Sequence, residues 1–550
     1  MAELAELTEF VTAQADEVLA DGATAGWASA RLLDGLGSIG HGFSAPISQA
    51  VRTAVDSGPG ICAWPDVQHT YRRDDAGLLL GVYAFSENYC DTGIGSVAHL
   101  GSIVIPALLI AAQDRPVSGR DALAAIAVGY NVMEYLGATI NGGRPRMASQ
   151  LKGFRPTASA GPAAAVAVLA RLSGLSAAQC QQALALACGQ GGGLRRSPIG
   201  TATAIRIQSG EAVRRAVQTL RLSRAGIAAH PDILRAPGGF FAAYGDGELG
   251  QPEFPRAGRS GSVATASVKL DCTPHTLVTM LDAVRELVRG ADGAQGAIDA
   301  IDVWVPAQHH TISGDLKPVP RTFPEGASHA PFCVALAAAT GRFLYPSVIE
   351  DGLSDSRATA LTQRVRVRVD DQLTELFDRD PSSWPARVRI RWQSGAESGL
   401  ELVRPASAAW SAADTLTAVA DKVAALANHE AGSAAMLRDR FSAVSSWPDV
   451  WAQLRNEPLT SVRRARSLRP GGRRRHRDRR HPRNRPRGGR PAHRRGGAGA
   501  VHRGERNHRR GAARVDGPAR FFRRRRAARH AGRGRGAPPS RDGRGRVRGD

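Results

Sequence analysis

Cysteine is scarce and falls in no paired pattern. The six residues, Cys62, Cys90, Cys180, Cys188, Cys272 and Cys333, contain no CxxC, which excludes a disulfide framework or a thiolate zinc site as the organising principle and fits a reducing interior. No basic stretch followed by an apolar run opens the chain, since acidic residues recur from Glu3 onward, so no secretory signal is expected. Long apolar runs are missing too: Ile103 to Ala112 is interrupted by Pro106 and falls short of the roughly 20 residues a membrane helix needs. A soluble, cytoplasmic chain with no membrane partner is expected. P-loop, HExxH and GxSxG patterns do not occur, and the two GxGxxG-like stretches, Gly35 to Gly40 and Gly245 to Gly250, neither follow a strand nor open a helix, so no nucleotide site is expected.

Lysine is nearly absent. Four residues, Lys152, Lys269, Lys317 and Lys422, stand beside 69 arginines, and the arginines are unevenly spread: 33 of them lie in 461–550 with only five acids. The body, 1–460, carries 40 basic and 45 acidic residues, so its charge is near −5 and that of the remainder near +28. The basic pI of the whole chain therefore carries no argument for nucleic-acid binding by the body. The segment 461–550 lacks apolar periodicity and cannot bury enough surface to offset chain entropy. It reads as disordered, either a polycationic arm that would bind phosphate backbones or the out-of-frame product of GC-rich DNA.

What is present is helical texture. From Leu7 to Ala229 apolar residues recur at about 3.6-residue spacing between Gly and Pro breaks. Asp121 to Leu136 and Ser176 to Cys188 each begin with a capping residue, and Ala163 to Leu172 and Glu211 to Leu222 continue the pattern. Residues 1–258 are expected to be all-α. Period-two alternation marks strands at Ala300 to Pro306, Gln363 to Val369 and Ala386 to Trp392, with helices at Leu277 to Arg289 and Pro331 to Leu344. An α+β region over 259–405 follows, and helices over 406–455, including Ala412 to Leu426, would return to the first bundle. The fold class is mainly α.

Four constellations carry possible chemistry. Asn88, Asp91, Thr92 and His99 lie in twelve residues beside Gly93, Gly95 and Gly101, either an acid/base pair on a cleft loop or a Gly-rich connection with a capping Asp. Arg155 and Thr157 open a small-residue helix, either an anion site at its N-terminus or an ordinary helix start. Arg206 precedes another such helix. Lys269 and His275 stand at the entry to the α+β region, either converging on a site or solvated and capping.

Taken in order, these phrases resemble the MmgE/PrpD family, which includes 2-methylcitrate dehydratase, cis-aconitate decarboxylase and iminodisuccinate epimerase. The resemblance rests on Leu33-Asp34-Gly35 to Gly42, Asp91-Thr92 with His99 and Pro106-Ala107, Ser118-Gly119 with Gly129-Tyr130, Gly153-Phe154-Arg155-Pro156-Thr157, and Lys269 with Asp282-Ala283. It implies a large helical domain with an inserted α+β lid, a homodimer, and cofactor-free, metal-free chemistry on a small polycarboxylate between the domains. Asp91, His99, Lys269 and His275 would be catalytic, with Asp91 orienting His99, while Thr92, Arg155, Thr157 and Arg206 would bind substrate. The family's histidine after Gly-Phe is Arg155 here, which can clamp a carboxylate but cannot exchange a proton. The expected activity is a lyase removing water or CO2. The alternatives are an isomerase, a non-catalytic carboxylate binder, or nucleic-acid binding through 461–550 alone.

Overall fold

Small residues at buried positions let helices meet backbone to backbone. The structure, a computed structural model, describes residues 2–195, 203–291, 296–313, 319–427 and 432–456. Helices Arg73–Phe85 and Gln208–Arg224 pack so closely that a Cβ on Gly81 would lie 2.6 Å from the Gly210 Cα, and one on Gly210 only 2.2 Å from the Leu78 carbonyl oxygen. Glycines of the first GxGxxG-like stretch serve the same purpose: Cβ atoms on Gly35 and Gly37 would strike Ile105 and Val423. They are packing glycines inside the Thr24–Gly42 helix.

At the centre runs the Gly119–Asn141 helix. It is long and apolar enough to cross a membrane, yet 94% of its most apolar window is buried inside the protein. Its cap is Ser118, whose Oγ accepts from the Asp121 N–H, rather than Asp121 itself. Ser176 caps Ala177–Cys188 as expected, with Gln179 completing a capping box. Pro156–Leu172 packs against both Gly119–Asn141 and Gln208–Arg224.

The helical expectation for 1–258 needs one addition. Ser57–Ala63 (β1) and Asp66–Tyr71 (β2) form an antiparallel hairpin; Ser-Gly-Pro-Gly at its start has no alternation to announce it. A four-stranded sheet follows later, in the order β4-β3-β5-β6, from Ile298–Val305 (β3), Val365–Val369 (β4), Ala386–Trp392 (β5) and Glu397–Leu402 (β6). β3 and β4 are parallel; β3–β5 and β5–β6 are antiparallel. Along β5 the buried Ala386, Val388, Ile390 and Trp392 alternate with Arg387, Arg389 and Arg391, which pair with Glu401, Asp302 and Asp299 on the other face. The apolar face joins helices Val278–Arg289 and Ala330–Thr340 in a second hydrophobic cluster.

Helix Ala412–Leu426 packs back on Thr24–Gly42. The contact holds a buried ion pair: the Lys422 ammonium donates to Asp34 Oδ1 at 2.6 Å and to the Tyr89 carbonyl at 2.7 Å. The expectation for 461–550 lies outside the described residues.

Candidate functional site

The loop after Phe85 begins with Asn88 in the left-handed region, φ 58°, where asparagine is among the more tolerated side chains. Glu134, from the central helix, accepts the Gly95 and Ser96 N–H groups and the Ser96 hydroxyl, and a Cβ on Gly93 would lie 2.0 Å from its carboxylate. That fixes the turn before His99. Thr92 and Ser267 exchange backbone hydrogen bonds of 3.0 and 2.8 Å, so the loop is stitched to the segment carrying Lys269 and His275. Beneath it Arg31 donates to the Val263 and Ala266 carbonyls and lies 3.8 Å from Asp91.

These segments enclose a cleft of about 120 Å³ whose wall includes Phe85, Asn88, Thr92, His99, Arg155, Arg195, Arg206 and His275. None of the described residues lining it is acidic. Phe85 is the floor: the Arg155 guanidinium lies 4.2 Å and that of Arg206 5.8 Å from its ring centre, and the His99 ring packs at 4.6 Å. Arg206 is anchored to the Ser86 carbonyl at 2.6 Å. Arg155 makes only long bonds, 3.3 Å to the Ile205 carbonyl and 3.5 Å to Gln208, and its buried Nη2 has no protein partner. Burial, with Arg206 adding repulsion, pushes Arg155 down to about 9, and burial also lowers Arg206. A buried cation without a counter-charge is costly, and an anion in the cleft would relieve that cost.

Two imidazoles share the wall. His275 sits edge-on against Trp384 with centroids 4.3 Å apart, and neither of its ring nitrogens has a partner. Burial, then the positive charges of Lys269 and Arg146, hold it at about 3. His99 has a free, buried Nδ1, and burial with Lys269, Arg155 and His275 keeps it well below the usual histidine range. Both rings are therefore neutral bases at neutral pH. The Thr92 hydroxyl is also without a partner.

Five of the eight expected residues thus meet at the cleft: Thr92, His99, Arg155, Arg206 and His275. The other three stand behind it. Asp91 does not orient His99 with its carboxylate, because that group accepts from the Gly101 N–H at 2.9 Å and the Tyr130 hydroxyl at 2.6 Å beside Arg31. Burial raises its pKa against these partners. Thr157 is fully buried, and its hydroxyl accepts from the His99 backbone N–H at 3.0 Å; it supports His99 from behind. Lys269 is fully buried and donates to Asn88 Oδ1 at 2.6 Å, with Thr273 O at 3.4 Å; burial brings its ammonium down to about 8.

Sequence reasoning did not single out Arg195, whose Nε donates to the Gln150 carbonyl on the cleft wall, nor Trp384 beneath His275. Arg195 stands in an Arg pair that a search for extra cations would have found; for Trp384, 109 positions from His275, no local signal exists.

Residues 5–252 match the MmgE/PrpD N-terminal domain and residues 274–443 the MmgE/PrpD C-terminal domain. Over 234 residues the chain is 28% identical to the cis-aconitate decarboxylase-like protein oryM of Aspergillus oryzae, a stretch covering 40% of this chain and 47% of that protein. The chain therefore spans about half the length of this curated relative.

Proposed function

The chain belongs to the MmgE/PrpD family, and on that premise we propose that it is a lyase removing water or CO2 from a small di- or tricarboxylate. The observation that carries this reading is the pairing, on one cleft with no acid among its described lining residues, of Arg155 and Arg206 with two neutral, partly unpaired imidazoles. Arg155 and Arg206 would hold carboxylates. A neutral His99 or His275 would take the proton from the carbon next to a carboxylate, and the guanidinium groups would hold the charge that develops on that carboxylate. In dehydration the electron pair then forms the double bond and hydroxide leaves, receiving a proton from the imidazolium. In decarboxylation no proton is removed first: the bond to a carboxylate carbon breaks, CO2 leaves without the electron pair, and the resulting carbanion takes a proton that water supplies through an imidazole N–H.

A second reading is favoured by the presence of two bases. If they face opposite sides of one acidic carbon, proton removal by one and return by the other epimerise it without loss of mass. A homodimeric, cytoplasmic enzyme is part of the same proposal, and light scattering of the purified protein tests the dimer.

The test of the reaction is mass-spectrometric turnover in deuterated water with citrate, 2-methylcitrate, cis-aconitate and smaller dicarboxylates. Loss of water or CO2 that falls about 100-fold or more in His99→Ala or His275→Ala supports the lyase. Deuterium uptake without mass loss moves the assignment to isomerase. Tight binding with no conversion of any acid leaves a carboxylate-binding protein.

A further inference from the structure

A lysine ammonium has three donors and no acceptor, so it dictates which way a neighbouring amide points. Lys269 is fully buried, is not on the cleft wall, and presses its Nζ to 2.6 Å from Asn88 Oδ1. Asn88 is on the wall, 8% exposed. With its oxygen claimed from behind, its NH2 group is the end left to serve the cleft, and among the described residues no protein acceptor takes it. Resting on the carboxylate reading above, we propose that Asn88 is a substrate-contacting, specificity-determining residue whose amide N–H binds a substrate carboxylate or hydroxyl oxygen, and that Lys269 is a positioning residue that fixes that amide.

Three features support the assignment. The left-handed backbone at Asn88, φ 58°, holds the side chain on a short, fixed tether. The Lys269 charge has no carboxylate within bonding distance, since its polar partners are an amide and the Thr273 carbonyl, so it polarises the amide toward stronger donation. The same charge, whose bonded partners are both neutral and which only the buried Asp91 offsets from a distance, lies behind a wall that already carries Arg155, Arg195 and Arg206 and favours a ligand with more than one negative charge.

The test is calorimetric binding of tricarballylate, a tricarboxylate with no hydroxyl to lose, to the full chain and its variants. Asn88→Gly removes the amide while keeping the backbone conformation free of strain, and Lys269→Met removes the ammonium at similar length. Each is expected to weaken binding about tenfold to a hundredfold, the loss typical of one hydrogen bond to a charged group. In the double variant the loss should exceed that of Asn88→Gly by no more than about twofold, because Lys269 acts through Asn88. Asn88→Asp keeps a partner for Lys269, so it guards against misfolding, and it should show the same loss because the donor is gone.

Wild-type affinity in Asn88→Gly or Asn88→Asp overturns the role of Asn88. Fully additive losses in the double variant overturn the positioning role, since Lys269 would then touch the ligand itself. Failure of the wild-type protein to bind tricarballylate brings down the carboxylate reading, and this inference with it.

Discussion

Arg155 is a place where stability and binding should pull apart. The residue is 5% exposed, its Nη2 is unpaired, and burial holds its guanidinium at about 9 instead of the ordinary 12.5. Keeping it charged at neutral pH therefore costs the fold about 5 kcal/mol. The sign is that of a base whose folded-state pKa is depressed: the penalty is fully present below about 9 and relieved only as pH rises toward the unfolded value. Arg155→Met removes the charge and fills much of the same space over Phe85. It also gives up two long hydrogen bonds and a cation–π contact, together about 3 kcal/mol. The ligand-free variant should thus be more stable by about 2 kcal/mol, a rise in Tm of about 2 °C for a body of this size. Tricarballylate binding should weaken at least tenfold. Scanning calorimetry with and without tricarballylate reads both effects. A ligand-free Tm that falls by about 2 °C, or a rise with binding intact, refutes the reasoning.

His275, held at about 3, binds a proton in the unfolded chain between about pH 6.5 and 3 but not in the folded one. As pH falls through that window, stability should drop by about 1.4 kcal/mol per pH unit on its account, and His275→Gln should flatten the urea-midpoint profile by that one proton. At the Asp34–Lys422 pair, Lys422→Met leaves a buried carboxylate without its cation and should cost about 3–5 kcal/mol, whereas Asp34→Leu combined with Lys422→Met should recover most of it in the same urea titration. Gly81→Ala forces a methyl to 2.6 Å from the Gly210 Cα. It should cost about 3 kcal/mol and also weaken tricarballylate binding, because the two helices it parts adjoin Phe85 and Arg206.

The helices were legible because buried alanines and leucines repeat at the helical period, and Ala412–Leu426 and β5 fall where their periodicities placed them. β6 was not legible: as an edge strand it never fully buries a side chain, and its alternation is confined to Leu400 and Leu402, after Ser398 and Gly399. The cleft wall could be foreseen at His99, His275, Arg155 and Arg206, whose chemistry is unusual for their neighbourhoods. The row behind it could not. Asp34 and Lys422 are 388 positions apart, and whether Asp91 faces a histidine or a tyrosine depends on how the central helix is rotated, which no local pattern encodes.

The contact of Gly81 with Gly210 sets the spacing between the helix that ends in Phe85 and the helix that follows Arg206 by the thickness of the peptide backbone itself. A separation defined that way does not drift when side chains are exchanged, as one defined by interlocking leucines would. Single exchanges of wall residues, such as Arg155→Met, are therefore expected to leave the two helices in register. New substrate preferences become reachable by one substitution at a time, and the two glycines are the positions where such a change cannot be made.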